Sequence, residues 1–295
     1  MKPDPIRAEP IVNGMSVDVE DWFQVGAFEN TIARSDWDSQ ALRAGDNVRR
    51  ILDLFDAAGV KATFFTLGWV AERVPDAIRE VVERGHELAS HGYDHARVFT
   101  LTPDAFRADL HKSRSILEDA GGAAVTGYRA PSFSIDPRCP WAHEVLAQEG
   151  YAYSSSVAPI RHDHYGWRDA PRFAFSPLKD SELVEIPVTT VELGSRRFAA
   201  GGGGFFRVLP YLFTEWAVAR VNERDERPAA FYFHPWEVDP DQPRVADAPL
   251  RSRLRHYTAL DRMEGKLERL LGRFRWGRMD EVAVREAARR VAFPA

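Results

Sequence analysis

Lys61-Ala-Thr-Phe-Phe-Thr-Leu67, then Pro75-Asp-Ala-Ile-Arg-Glu-Val-Val-Glu-Arg-Gly85, then His86-Glu-Leu-Ala89 is the stretch that decides the architecture. The first run has the pattern of a buried strand. The second opens on a proline and stops at a glycine, which reads as a helix over Ala77–Glu83. The third is another short strand. Strand, helix, strand in so short a span implies parallel pairing through a crossover helix. The rhythm continues outward in both directions. Ile11–Val19 is strand-like and ends in acids, and Asp46 reads as the cap of a helix bearing Val48, Ile51, Leu52 and Phe55 on one face, closed by Gly59. Thr102-Pro103-Asp104 starts a helix reaching Leu117 and stopped by Gly121-Gly122. A strand at Val125–Tyr128, a helix over Trp141–Gln148 and a strand near Tyr151 follow. The class is α/β, a barrel or a doubly wound sheet.

From Ile160 to Pro187 the alternation breaks, and this segment reads as a long surface excursion. Four glycines at Gly201–Gly204, a helix over Leu209–Val221 and a strand over Ala229–His234 come next, then a basic helix over Leu250–Leu271 and a last one over Glu281–Val291. No repeat or linker divides the chain, so residues 1–295 are expected to form one domain with a helical C-terminal extension from about 245.

Composition excludes several classes. Thirty-nine basic and 44 acidic residues among 295 give a net charge of −5 without blocks of like charge, which argues against a nucleic-acid partner. No apolar run approaches the roughly 18 residues of a membrane span. Met1–Pro10 lacks the apolar core of a secretory leader, so a cytoplasmic chain is expected, although a trimmed periplasmic one would read the same. The single cysteine, Cys139, excludes a disulfide framework and a multi-thiolate zinc site. Oligomeric state is not legible. The chemistry must be built from oxygen and imidazole.

His91 and His95 follow a short strand at a spacing that lets both imidazoles reach one metal, with a polar loop as the bland alternative. Such a pair usually takes a carboxylate as well, and Asp18, Glu20 and Asp21 end the first strand at the same expected sheet edge. Asp18 and Glu20 share a face if the strand stays extended, and Asp21 joins them only if it turns. Arg129 could orient a carboxylate, and Pro131 restricts the backbone so that the Ser132 amide could be a preorganised donor. His234 closes the last clear strand, where it suits a general acid. Trp22, Pro131, Phe133 and Trp236 are the candidate substrate contacts, since sugar rings stack on apolar faces. The glycines at 201–204 lack the Lys-Ser/Thr of a phosphate loop, and Ser154–Ser156 lack a nucleophile-elbow setting.

Taken in order, Ser-Val-Asp-Val-Glu-Asp-Trp-Phe from Ser16, His-Glu-Leu-Ala-Ser-His-Gly-Tyr-Asp-His from His86, Gly-Tyr-Arg-Ala-Pro-Ser-Phe-Ser from Gly127, Phe-His-Pro-Trp-Glu-Val-Asp-Pro-Asp-Gln-Pro-Arg from Phe233 and Arg-His-Tyr from Arg255 resemble the polysaccharide deacetylases of carbohydrate esterase family four, NodB-type. The phrases look most like the branch found with exopolysaccharide and exosortase loci. The resemblance implies a distorted (β/α) barrel with fewer than eight strands, and hydrolysis of N-acetyl groups on an N-acetylated glycan with a divalent metal, expected to be Zn²⁺. It implies His91 and His95 as metal ligands with Glu20 or Asp21 as the third, Asp18 as catalytic base, Arg129 as its positioner and His234 as catalytic acid. One departure stands out: Ser154 lies where relatives commonly carry an aspartate that tunes the late histidine, so that acid would be absent or supplied elsewhere, with Asp163 a candidate. The rival readings are a small cyclic amide hydrolysed on the same fold (allantoinase-like), a non-haem iron oxygenase with two histidines and a carboxylate, and a glycan-binding pseudoenzyme.

Overall fold

A computed structural model describes residues 10–161, 166–194 and 196–293. Its twelve strands are β1 (Asn13–Val19), β2 (Thr63–Thr66), β3 (Glu87–Ser90), β4 (Gly127–Tyr128), β5 (Tyr153–Ser154), β6 (Phe175–Ser176), β7 (Val184–Glu185), β8 (Thr190–Leu193), β9 (Arg196–Ala199), β10 (Ala230–Phe233), β11 (Trp276–Gly277) and β12 (Val291–Ala292). The helices are α1 (Ala44–Ala58), α2 (Gly68–Ala71), α3 (Pro75–Glu83), α4 (Pro103–Gly121), α5 (Ala142–Gln148), α6 (Gly203–Val208), α7 (Tyr211–Glu223), α8 (Leu250–Tyr257), α9 (Met263–Arg273) and α10 (Met279–Ala287).

One sheet runs in the order β10-β1-β2-β3-β4-β5-β7-β6-β12, with β11 against the start of β1 and β8–β9 forming a separate hairpin. Every neighbour from β10 to β7 pairs in parallel, whereas β6 runs antiparallel to β7. Loop backbone bridges the gap beside β10: the Thr189 amide donates to the Ala230 carbonyl at 3.2 Å and the Tyr232 amide to the Gly201 carbonyl at 2.8 Å. The result is a distorted (β/α) barrel whose ring has fewer than eight parallel strands (β10, β1, β2, β3, β4, β5 and β7), within a sheet that counts ten strands in all. β1 is buried along its whole length because it sits between β10 and β2.

The local chemistry explains most helix limits. The Thr102 hydroxyl accepts the Ala105 amide at the start of α4, and α1 ends on Gly59 at φ 65°. Phe55 of α1 packs edge-on to Phe64 at 6.0 Å and Phe233 at 6.2 Å, laying that helix over β2 and β10. Fully burying a side chain of that size contributes about 1.5–3 kcal/mol relative to leaving it exposed.

Three expectations need correction. Asp46 is not the cap of α1. The helix starts at Ala44, and the distant Asp21 carboxylate accepts the amides of Arg43 and Ala44 at 2.7 and 2.8 Å. The basic helix over 250–271 is two helices, broken at Ala259, which has φ 58°. The excursion over 160–187 returns to the interior, burying Ala170, Ala174 and Phe175 and supplying β6 and β7. The segment after 245 is mostly helical, and its strands β11 and β12 join the sheet. No helix among the described residues is long and apolar enough to cross a membrane.

Candidate active site

The parallel strands place their C-terminal ends on one edge, where ligand sites of such folds are built. β1 brings Ser16 and Asp18 there on one face, and Glu20 follows just beyond it. Arg129, directly after β4 and 1% exposed, reaches across to Asp18. Its Nη1 donates to Asp18 Oδ1 at 2.5 Å and to Ser16 Oγ at 2.8 Å, while Nε and Nη2 donate to the carbonyl and Oγ of Ser155 at 3.1 and 2.9 Å. All three guanidinium nitrogens are engaged, which fixes the group that holds Asp18.

The loop holding Arg129 is itself anchored. Ser156 Oγ accepts the Ala130 amide, and Glu185 Oε1 on β7 accepts the amides of Ser156 and Val157 at 2.7 and 2.8 Å. The other oxygen of Glu185 lies 3.0 Å from Nε2 of the buried His143. From sequence, Ser155 and Ser156 register only as serines without a nucleophile-elbow setting, and no short motif marks Glu185 or His143.

His91 and His95 follow β3 through a turn in which Gly92 has φ 75° and His95 φ 61°. A Cβ at 92 would meet the Asp109 carboxylate at 2.9 Å, so the position requires glycine. His91 Nδ1 is 2.8 Å from the Arg129 carbonyl. A carbonyl only accepts, so Nδ1 carries the hydrogen and Nε2 presents a lone pair. Burial pushes His91 down to about 4 and lowers His95 as well, keeping both imidazoles neutral at neutral pH.

Glu20 is the centre of the arrangement. Its Oε2 lies 3.0 Å from His95 Nε2, and its Oε1 lies 3.0 Å from His234 Nε2. Burial would raise its pKa, but His95, His234 and His91 together hold it down to about 2. Oε2 is buried and receives no hydrogen bond. A neutral imidazole facing a carboxylate oxygen that lacks a donor is the donor chemistry of a divalent-cation site. Among the described residues, however, no three His, Cys, Asp or Glu side chains stand close enough together to hold an ion without adjustment.

Asp21 is placed differently. Its Oδ1 accepts the Trp22 amide at 2.8 Å and its Oδ2 accepts the α1 amides, so both oxygens are committed to backbone. Of the two acids left open from sequence, Glu20 faces the imidazoles.

His234 directly follows β10 and caps the 3-10 turn Pro235–Val238. Its Nδ1 is 2.8 Å from Glu237 Oε1, and Arg207 Nε donates to Glu237 Oε2 at 2.6 Å. Burial would lower His234, but carboxylates on both sides, Glu20 and Glu237, outweigh it and push the imidazole up to about 10. The acid proposed for this role from sequence, Asp163, lies outside the described residues, and Glu237 occupies the position beside the ring. Its signal was present three residues after a strand-ending histidine, at capping-box spacing.

The four residues expected to contact substrate are all buried. Trp22 is 3% exposed and donates its indole N–H to the Ala41 carbonyl at 2.9 Å. Pro131 is buried, Phe133 packs on Tyr232 at 4.7 Å, and Trp236 lies stacked between His234 at 5.1 Å and His256 at 4.2 Å. None of them lines the cavity of about 400 Å³ beside His95, whose aromatic wall is Phe23 and Trp37 with Arg34 and Arg97 nearby. Ser132, expected to offer its amide, is held in the left-handed region at φ 57°.

Residues 36–153 match the family model "Polysaccharide deacetylase", and residues 155–284 match a domain of unknown function, DUF3473. The chain is 32% identical over 120 residues to the peptidoglycan deacetylase of Helicobacter pylori, covering 40% of each chain. It is 33% identical over 96 residues to the peptidoglycan-N-acetylglucosamine deacetylase of Bacillus cereus, covering 32% of this chain and 35% of that one. It thus spans well under half the length of these curated relatives. A crystal structure from Mycobacterium smegmatis, assigned as a polysaccharide deacetylase, superposes with a TM-score of 0.62 at 19% identity over 98% of this chain and 96% of that one, a likeness of fold. Residues 36–153 are thus similar to the polysaccharide deacetylase family.

Proposed function

We propose that the protein removes N-acetyl groups from an N-acetylated polysaccharide by hydrolysis, giving acetate and a free amino sugar. The observation that carries this reading is Glu20, whose two oxygens each lie 3.0 Å from an imidazole, His95 on one side and His234 on the other. A metal-type carboxylate–imidazole pair and an acid-type histidine thereby share one carboxylate beside the clamped Asp18. The deacetylase match over residues 36–153 supports the same chemistry. The sequence phrases from Ser16 to Tyr257 support an exopolysaccharide as the polymer.

Glu20, His91 and His95 would hold a divalent ion, taken to be Zn²⁺, which when bound supplies a Lewis acid and a more acidic water. Asp18 is the base that takes the proton of the attacking water, and Arg129 fixes its aim. The Ser132 amide donates to the developing oxyanion. His234, kept protonated by its two flanking carboxylates, gives its proton to the departing amine nitrogen, which leaves poorly as an anion. The cavity beside His95 gives the sugar residues room. Acetate release from N-acetylated oligosaccharides, with metal analysis of the protein before and after chelation, tests the reading. Turnover that survives complete chelation would remove the metal from it, and no acetate from any N-acetylated glycan would remove the activity.

A further inference from the structure

The glycine tract at 201–204 has no place in a phosphate loop, yet it ends against the candidate acid. An ideal Cβ at Gly203 would lie 2.4 Å from Glu237 Oε1 and 2.8 Å from Oε2. No side chain fits there unless the carboxylate moves. One helical turn later on α6, Arg207 is 2% exposed and gives Nε to Glu237 Oε2 at 2.6 Å. Its Nη1 donates to the carbonyls of His256 and Thr258 at 3.0 and 2.6 Å, and its Nη2 to that of Arg255 at 3.3 Å. Lys266 Nζ then takes the carbonyls of Phe206, Arg207 and Leu209 at 2.9, 2.8 and 2.8 Å, which ties α6 to α9.

We infer that Gly203 and Arg207 form a seat for the Glu237 carboxylate and act as positioning residues for His234. The seat fixes which oxygen goes where. Oε2 is held by Arg207, so Oε1 is left for His234, where it meets both the backbone amide at 3.2 Å and Nδ1 at 2.8 Å. An Nδ1 hydrogen pinned in this way orients the ring and aims Nε2 into the site. Stability alone is a poor reason for the arrangement, because a buried ion pair contributes little net stability once desolvation is counted. The carbonyls at 255–258 complete the seat, so the segment after 245 reaches the catalytic edge through Arg207.

The inference rests on the deacetylase reading only in its kinetic arm. Proton NMR of the ¹⁵N-histidine-labelled protein reads the Nδ1 hydrogen of His234 directly, assigned by its absence in His234→Gln. Gly203→Ala should displace or broaden that signal and lower kcat for acetate release about 100-fold, with KM within about twofold. Arg207→Lys keeps the charge but not the fork, and should also shift the signal. The double variant Arg207→Met/Glu237→Gln removes both charges and should fold, as thermal melting would show, but lose the signal. An unchanged His234 resonance and unchanged kcat in folded Gly203→Ala and Arg207→Lys overturn the inference. A wild-type protein that releases no acetate would sink the activity while the NMR arm still decides the seat.

Discussion

The two regions matched by different family models build their shares of the site in different ways. Residues 36–153 deliver His91, His95 and Arg129 directly from the ends of successive parallel strands, and short contacts between strand neighbours hold them: His91 to the Arg129 carbonyl, Arg129 to Ser155. Residues 155–284 deliver a single imidazole, His234, through a relay of Glu237, Arg207 and the carbonyls at 255–258. The regions are not separable units, since β10 pairs with β1 along four residues and β7 with β5. Residues far apart in the chain thus meet at one sheet edge, because neighbouring strands in a ring need not be neighbours in the chain.

That contrast can be broken most directly at the two ends of the proposed proton path. Asp18→Asn keeps the shape of the Arg129 contact but removes the base, and acetate release should fall by about 10⁴-fold with the fold intact. His234→Gln should cost about 10²- to 10³-fold in kcat. Should it cost nothing, the second region is scaffold only and the contrast collapses.

Stability sharpens the same comparison. Arg129→Met leaves the buried Asp18 carboxylate unpaired and should destabilise the protein by about 3–5 kcal/mol, with Asp18→Asn in the same chain restoring much of the loss. Denaturant melts of the two single variants and the double give the coupling directly.

A smaller effect should come from the floor of the barrel. Glu87 hydrogen-bonds Thr63 and Tyr153 and accepts the amide of Asp280, and burial pushes its carboxyl up to about 7. A carboxyl whose folded pKa is raised favours the folded state at low pH. Its contribution is fully present below the ordinary value and is lost as pH rises from about 4.5 to about 7, by an amount on the order of 3 kcal/mol. Glu87→Gln should flatten this part of the stability–pH curve, and an unaltered curve would contradict the assignment. The smallest effect is expected from Asp21→Ala, a loss of about 1–2 kcal/mol from an uncapped α1. Metal content should be retained in that variant and lost in Glu20→Ala, which separates the two acids that spacing alone left equivalent.

Much of the architecture was legible because it is local. The strand–helix–strand alternation from Lys61 to Ala89, the Thr102 cap and the Gly59 stop depend on residues adjacent in the chain. The position of the candidate residues at strand ends is legible for the same reason: Asp18, His91, Arg129 and His234 each lie in or just after a readable apolar run. Chain order could not reveal what depends on long-range contact. That the acid beside His234 is Glu237, that Asp21 caps a helix starting at Ala44 rather than facing the imidazoles, that Trp22 turns inward, and that α8 stops where Arg207 takes its carbonyls are all set by partners far away in sequence. Periodicity and caps are properties of one segment, so sequence determines them. Which oxygen of a buried carboxylate meets which donor depends on where distant segments pack, and only the folded chain decides that.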